Sequence, residues 1–193
     1  MKSSDVEAVI LAAGYSTRAE TFKMTLDFLG KPLLGHVIEA MQALCSRIIV
    51  VGGYQAEKIA DVLKHYEKTE LIYNETYNEG MFSSVKKGIQ AVSAQRFFLT
   101  PGDYPLISQK ICSELLNTQG DIIVPRFHNK GGHPILLSSQ CIQEILDEPA
   151  DSNLNKYLTR KGRMMVDVEE EGILMDLDTM TDYRMLLKHK CTE

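Results

Sequence analysis

The sequence predicts an α/β domain on a mostly parallel sheet, and three observations carry that expectation. Short β-branched runs alternate with helical-period apolar patterns over roughly the first 120 residues, the pattern of right-handed βαβ crossovers. The polar, glycine-containing segments fall directly after the strand-like runs, where open α/β sheets bind ligands. The 193 residues suffice for one core, and 44% hydrophobic and 24% charged residues with no low-complexity tract describe a folded chain. No repeat or linker-like stretch divides it, so one domain over 1–193 without a fused partner is expected.

The elements follow in order. The run 6–11 is a buried strand that breaks into Ala12-Ala13-Gly14. Pro32 stands where a first helical turn begins, and Leu33, Leu34, Val37, Ile38, Met41 and Leu44 then recur at helical spacing. A second strand over 47–51 closes at Gly52-Gly53, and Ala56, Ile59, Val62 and Leu63 mark the next helix. A weaker strand at 71–73 precedes a helix over 81–92. A fourth strand over 96–100 ends at Pro101-Gly102-Asp103-Tyr104-Pro105, and a helix near 108–117 follows. Strands at 122–124 and 134–137 bracket Asn129-Lys130-Gly131-Gly132. The tail reads as helices near 139–146 and 154–160, strand-like pieces at 164–168 and 173–177, and a last helix from Thr181.

A net charge of −5 and a pI near 5.6 lack the footprint of a general nucleic-acid binder. Anionic nucleotides remain compatible, because a local loop and a metal ion outweigh net charge. Cys45, Cys112, Cys141 and Cys191 form no CxxC pair, which argues against zinc-ribbon and thioredoxin-like chemistry and for reduced thiols in a cytoplasmic protein. The first residues lack the apolar region and cleavage site of a signal peptide. No stretch reaches the ~18 apolar residues of a membrane span, so no membrane partner is expected.

After the first strand, Leu11 to Gly14 lead through Arg18 to Lys23. Small residues let backbone N–H groups approach an anion, and the two cations suit phosphate, although a plain solvated loop has the same composition. The segment is neither GxGxxG nor a Walker loop. Asp103, at a strand end between prolines and a glycine, reads as a hard-cation ligand or as a turn aspartate. Asp178, in Asp176-Leu177-Asp178-Thr179, reads as a second ligand or as a helix cap. His133 reads as a substrate-side group or as a satisfied loop histidine.

Together these segments resemble the MobA/MocA-like nucleotidyltransferases. The LAAGxSxR…K segment is similar to that family's loop. It is followed in the family's order by Asn74 to Ser84, by Gly102-Asp103-Tyr104-Pro105, by Gly131-Gly132-His133-Pro134, and by Asp176 to Tyr183. The GHP and DxDT…DY elements resemble the cytidylyltransferase branch that matures molybdopterin cofactors. The resemblance implies a three-layer, Rossmann-like fold of the nucleotide-diphospho-sugar transferase type, with about seven strands. It implies CMP transfer from CTP to a molybdopterin phosphate, and a molybdenum hydroxylase as client. By the same resemblance Leu11, Ala12, Ala13 and Gly14 face the nucleotide, while Arg18 and Lys23 hold its phosphates. Asp103 and Asp178 hold Mg²⁺, with Mn²⁺ as a substitute, and Arg18, Lys23 and Asp103 form the catalytic set. Asn74, Gly80, Ser83, Ser84 and His133 take the acceptor side.

Two segments depart from the family pattern. Ala19-Glu20 replaces Met-Gly, and the added carboxylate would repel a triphosphate by about 1 kcal/mol if poorly screened. Ala150-Asp151-Ser152-Asn153 replaces Gly-Asp-x-Gly. Guanylyl relatives carry glycine in place of Ala13, whose methyl either narrows the slot beside the base and favours CTP over GTP or simply packs against the sheet. Two competing readings accompany the cytidylyl one. A guanylyl- or sugar-phosphate nucleotidyltransferase keeps the fold and changes the acceptor, and a non-catalytic accessory protein would deliver cofactor without turnover.

Overall fold

The computed structural model describes residues 6–15, 22–149 and 151–190, with no side chain described at 189 and 190. The chain runs β1 (Val6–Leu11), β2 (Asp27–Phe28), β3 (Lys31–Pro32), α1 (Leu33–Gln42), β4 (Arg47–Gly52), α2 (Ala56–Leu63), β5 (Thr69–Tyr73), α3 (Met81–Ile89) and β6 (Arg96–Pro101). It continues through α4 (Gln109–Leu116), β7 (Ile122–Phe127), β8 (Lys130–Gly131), β9 (Ile135–Ser138), α5 (Cys141–Leu146), α6 (Leu154–Lys161), β10 (Met164–Asp167) and α7 (Met180–Lys190).

The main sheet has the order β10-β7-β9-β6-β1-β4-β5, with β8 paired to β7. Strand β1 is central, parallel to both β4 and β6. Strand β9 is antiparallel to β6 and β7, so the sheet is mixed but mostly parallel. Period-two alternation then assigns the layers. Val6, Ala8 and Ile10 join Ile48, Val50 and Phe98 in one core with Leu34, Ile38 and Met41 of α1, Ile59 of α2 and Ile111 of α4. Val9 and Leu11 join Ile49, Val51, Phe97 and Leu99 in the other, against Val85 and Ile89 of α3, Ile145 of α5 and Tyr157 of α6. The result is the three-layer α/β arrangement that the sequence leads one to expect. Helix α3 lies close to the sheet at Gly88, where an added β-carbon would fall 2.5 Å from Val9 Cγ1.

One local expectation fails, and one element was not expected. The segment 173–177 is not a strand: Glu171–Leu174 form a 3-10 turn and the chain then runs extended without a ladder. Its apolar pattern reflects burial of Ile173 and Leu177, while its backbone groups find single partners, His133 N to Ile173 O at 3.0 Å and Leu177 N to Asp103 O at 2.9 Å. The β2–β3 hairpin has no counterpart in the sequence reading. It turns at Leu29 (φ 54°) and Gly30 (φ 82°), a left-handed pair without the usual Asn-Gly cue. Among the described residues no helix is long and apolar enough to cross a membrane.

Candidate active site

The site forms at the carboxyl ends of β1, β6, β4 and β5. As β1 ends, its neighbours hold the next residues in place: Ala12 N donates to Val51 O at 2.8 Å, and Gly102 N donates to Leu11 O at 2.8 Å. Ala13 is 5% exposed, and a β-carbon added at Gly53 would lie 3.0 Å from its methyl. That methyl therefore abuts the Gly53 backbone even though Ala13 lines the cleft. Around Gly14 a β-carbon would meet nothing within 4 Å among the described residues. Leu11, Ala12, Ala13 and Gly14 all line a cleft of about 450 Å³, together with Lys23, Gly80, Ser84, Asp103 and Asp178. Arg18, expected on the phosphates, and Glu20 lie outside the described residues.

Lys23 is the centre of charge in the cleft. It sits in a 3-10 turn (Lys23–Thr25), is 8% exposed, and donates from Nζ to Asp103 Oδ2 at 3.0 Å and to Asp178 Oδ1 at 2.8 Å. Burial alone would lower its pKa, but Asp103 and Asp178 outweigh that and raise it, so the ammonium stays charged. Asp176 belongs to the same field: burial first, and then Asp103 and Asp178, hold its carboxyl above the usual range.

Two devices fix this arrangement. Replacing Gly102 would put a β-carbon 2.9 Å from the Met24 sulfur and 3.3 Å from Leu11 O, so a larger residue would crowd the loop carrying Asp103. Asp178 Oδ1 accepts from Lys23, while the cap of α7 is made by Thr179. Asp182 Oδ2 accepts from Thr179 N at 2.7 Å and Thr179 Oγ1 at 2.8 Å, while Asp182 N donates back to Thr179 Oγ1 at 3.2 Å. Of the two readings of Asp178, the cap therefore belongs to its neighbour.

A hard divalent cation fits the two carboxylates. Asp103 Oδ1 is buried and has no hydrogen-bond partner among the described residues, which leaves a lone pair unsatisfied. Among those residues no group of three or more acidic, histidine or cysteine side chains is set to hold a metal. Mg²⁺ needs no such cage, because it commonly binds through one or two carboxylates plus substrate phosphates.

The segment from Asn74 to Ser84 divides into braces and lining. Asn74 is 2% exposed; its Nδ2 donates to Ser83 Oγ and Ser84 Oγ, each at 3.0 Å, and its Oδ1 accepts from Thr76 N and Thr76 Oγ1, each at 3.1 Å. Its amide is thereby used up within the loop. Ser83 Oγ is engaged with the carbonyls of Thr76 and Gly80. Gly80 (φ 102°) precedes α3 in a conformation that favours glycine, and it lines the cleft with Ser84.

One feature of the cleft was not found from sequence. Tyr15, Tyr54 and Tyr77, each shortly after the end of β1, β4 or β5, converge at its rim. Ring centroids are 5.4 Å apart for Tyr15–Tyr54 and 5.2 Å for Tyr15–Tyr77, with Phe22 6.3 Å from Tyr54. The recurrence of tyrosine after three strand ends was the available signal.

A second cavity, of about 420 Å³, adjoins the first and shares Leu11, Met81 and Pro101 with it. Its walls are mostly apolar, including Phe82, Val85, Leu99 and Leu158, with His133, Asn153, Asn155 and Arg163 as polar lining. His133 packs on Tyr104 at a centroid distance of 4.8 Å. Burial pushes its pKa down to about 4, against a smaller opposing effect of the Leu99 carbonyl, so the ring is neutral near pH 7. Nδ1 is buried without a partner among the described residues. Thus His133 lines this cavity, apart from Gly80 and Ser84, which line the cleft with Ala12–Gly14.

The mostly parallel α/β sheet thus carries two adjoining cavities at its strand ends, one of them with a lysine set between two carboxylates. The chain belongs to the MobA-like NTP transferase family, whose domain matches residues 8–165. It is 31% identical to the molybdenum cofactor cytidylyltransferase of Escherichia coli K12 over 191 residues, covering 98% of this chain and 99% of that one. Its fold matches Rv0371c from Mycobacterium tuberculosis H37Rv at a TM-score of 0.84 and 24% identity, over 97% of this chain and 100% of that one. The manganese complex of the same protein matches at 0.77 and 24%, over 96% and 99%. CMP:2-keto-3-deoxy-manno-octonic acid synthetase complexed with CTP matches at 0.79 and 16% identity, over 98% and 99%.

Proposed function

We propose that this protein transfers CMP from CTP to the terminal phosphate of molybdopterin and releases pyrophosphate. The observation that carries this reading is the Asp103–Lys23–Asp178 bridge, set in a cleft that adjoins a second, mostly apolar cavity. The similarity to the E. coli cytidylyltransferase supports the choice of base and acceptor. In this reading the cleft beside Ala12–Gly14 takes the nucleotide, and the cavity beside His133 and Arg163 takes the pterin body.

An acceptor phosphate oxygen attacks the α-phosphorus as the bond to the β-phosphate breaks and pyrophosphate leaves. Such a transfer relies on positioning and charge neutralisation more than on an acid or base, which agrees with a neutral His133. Asp103 and Asp178 would hold Mg²⁺ or Mn²⁺, which when bound neutralises charge on the triphosphate and the leaving pyrophosphate. Lys23, and Arg18 by its place in the family loop, neutralise the phosphate oxygens. Gly14 and Gly80 leave room for the phosphates to approach the backbone, and Ser84 offers a hydroxyl beside them. Leu11, Met81 and Pro101, common to both cavities, hold the two substrates edge to edge. The reading carries a cytoplasmic location and a molybdenum hydroxylase as client.

Pyrophosphate release, measured with each triphosphate in the presence and absence of molybdopterin, tests it. The expected result is release that requires both CTP and molybdopterin, with CTP favoured over GTP by about tenfold or more. Release with a sugar phosphate instead would move the protein to another acceptor. Cofactor binding without release would make it an accessory carrier.

A further inference from the structure

The tyrosines at the rim do not enter the phosphate chemistry, yet two of them line the nucleotide cleft. Tyr15 and Tyr77 contribute to its wall beside Ala12, Ala13 and Gly14. Tyr15 is 45% exposed, unusually open for an aromatic ring that touches two others. Tyr77 has no such freedom: a β-carbon added at Gly53 would fall 2.6 Å from both its Cβ and its Cγ, so the Tyr77 side chain lies flush on the Gly53 backbone. Tyr54 braces Tyr15 from outside the cleft, and Phe22 braces Tyr54 in turn. The rings therefore form a supported cluster of tilted and edge-on contacts, with one half-open member at the cleft.

Resting on the nucleotidyl-transfer reading, the geometry points to Tyr15, backed by Tyr77 and Tyr54, as the surface on which the base of the bound triphosphate stacks. The charged groups gather at Lys23, Asp103 and Asp178, so the aromatic wall is left to the uncharged end of a nucleotide. Every base has a π-face, so a stacking surface adds affinity without choosing among bases. Discrimination between CTP and GTP then belongs to groups that read base edges, not to this wall.

The test compares CTP, GTP and base-free tripolyphosphate, each with Mg²⁺, by calorimetric titration of the full chain. Tyr15→Ala is expected to weaken CTP and GTP alike by about tenfold or more, leave tripolyphosphate unchanged, and leave the thermal melt intact because the ring is half open. Tyr15→Phe keeps the π-face and is expected to stay within about twofold of the parent. The chain has no tryptophan, so tyrosine emission gives a second readout: CTP quenches it in the parent and less in Tyr15→Ala. Unchanged CTP affinity in Tyr15→Ala, or an equal loss for tripolyphosphate, would overturn the stacking role and leave nucleotidyl transfer standing. Failure of the parent chain to bind either nucleotide would overturn both.

Discussion

Leu177 donates its backbone N–H to the Asp103 carbonyl at 2.9 Å, which ties the segment before the last helix to the loop after β6. One residue further on, Asp178 reaches Lys23 at 2.8 Å, across 155 positions of sequence. The two carboxylates therefore share one ammonium, and their spacing is set by backbone as well as by charge.

Substituting either carboxylate should affect turnover more than folding. Asp103→Asn and Asp178→Asn are each expected to lower pyrophosphate release by about 10²–10³-fold, since each removes a group that organises charge at the reacting phosphates. Neither aspartate belongs to the hydrophobic core and each substitution leaves Lys23 its other carboxylate, so circular dichroism melts should fall less than in Lys23→Met. Near-normal release in Asp103→Asn would remove it from the catalytic set.

Lys23→Met separates two roles of the ammonium. Two facing carboxylates would be left without their shared cation, and breaking a largely buried pair is destabilising, here by about 1–3 kcal/mol because Asp178 is partly exposed. The vacated space should let Mn²⁺ bind the nucleotide-free protein several-fold more tightly, while CTP binds more weakly for want of a phosphate partner. Manganese titration followed by paramagnetic resonance measures the first, and calorimetry the second. A parallel loss of both affinities would mean that Lys23 does not compete for the cation place.

Asn74→Ala tests a brace. The side chain does not line the cleft, but four hydrogen bonds to Thr76, Ser83 and Ser84 end with it, and its removal should cost about 2–4 kcal/mol in a denaturant melt. CTP affinity is expected to fall as well, because Gly80 and Ser84 lose their fixed placement. A large drop in CTP affinity without loss of stability would instead make Asn74 a direct ligand.

His133 predicts a pH dependence of stability. Its folded pKa of about 4 lies below the usual 6.5, so the unfolded chain binds more protons between those values. The contribution is fully present above pH 6.5 and is lost as pH falls towards 4, to an extent on the order of 3 kcal/mol. Urea melts of the parent and His133→Phe at pH 7.5 and pH 4.5 check this, with the variant expected to lose less. Equal losses would show that His133 does not titrate in that window.

The strand–helix alternation and the order of the motifs were legible because both rest on local periodicity and composition. The burial of β1 on both faces reads as an apolar run interrupted only by Glu7, and the chain's polar breaks mark the strand ends that hold the cleft. The partnership of Lys23 with Asp103 and Asp178 was not legible, since no spacing rule shows that positions 23, 103 and 178 meet. The four hydrogen bonds of Asn74 within its loop were not legible, because polar residues at a loop-to-helix junction bind anions or serve as braces with the same composition. The strand expected at 173–177 was misplaced for a related reason: burial alone gives the apolar pattern of a strand. Tyr15, Tyr54 and Tyr77 were visible singly, and only the adjacency of β1, β4 and β5 makes them a cluster.

The route of the chain also sets when a working cleft can exist during synthesis. Strands β1, β4, β5 and β6, with Lys23 and Asp103, leave the ribosome early, whereas Asp178 and the Thr179–Asp182 cap come after the sheet's last strand. A nascent chain stalled between β10 and α7 would hold most of the sheet and one of the two carboxylates. Such an intermediate would hold Lys23 against Asp103 before Asp178 arrives, so the second carboxylate of the bridge is added only when the segment before the final helix docks.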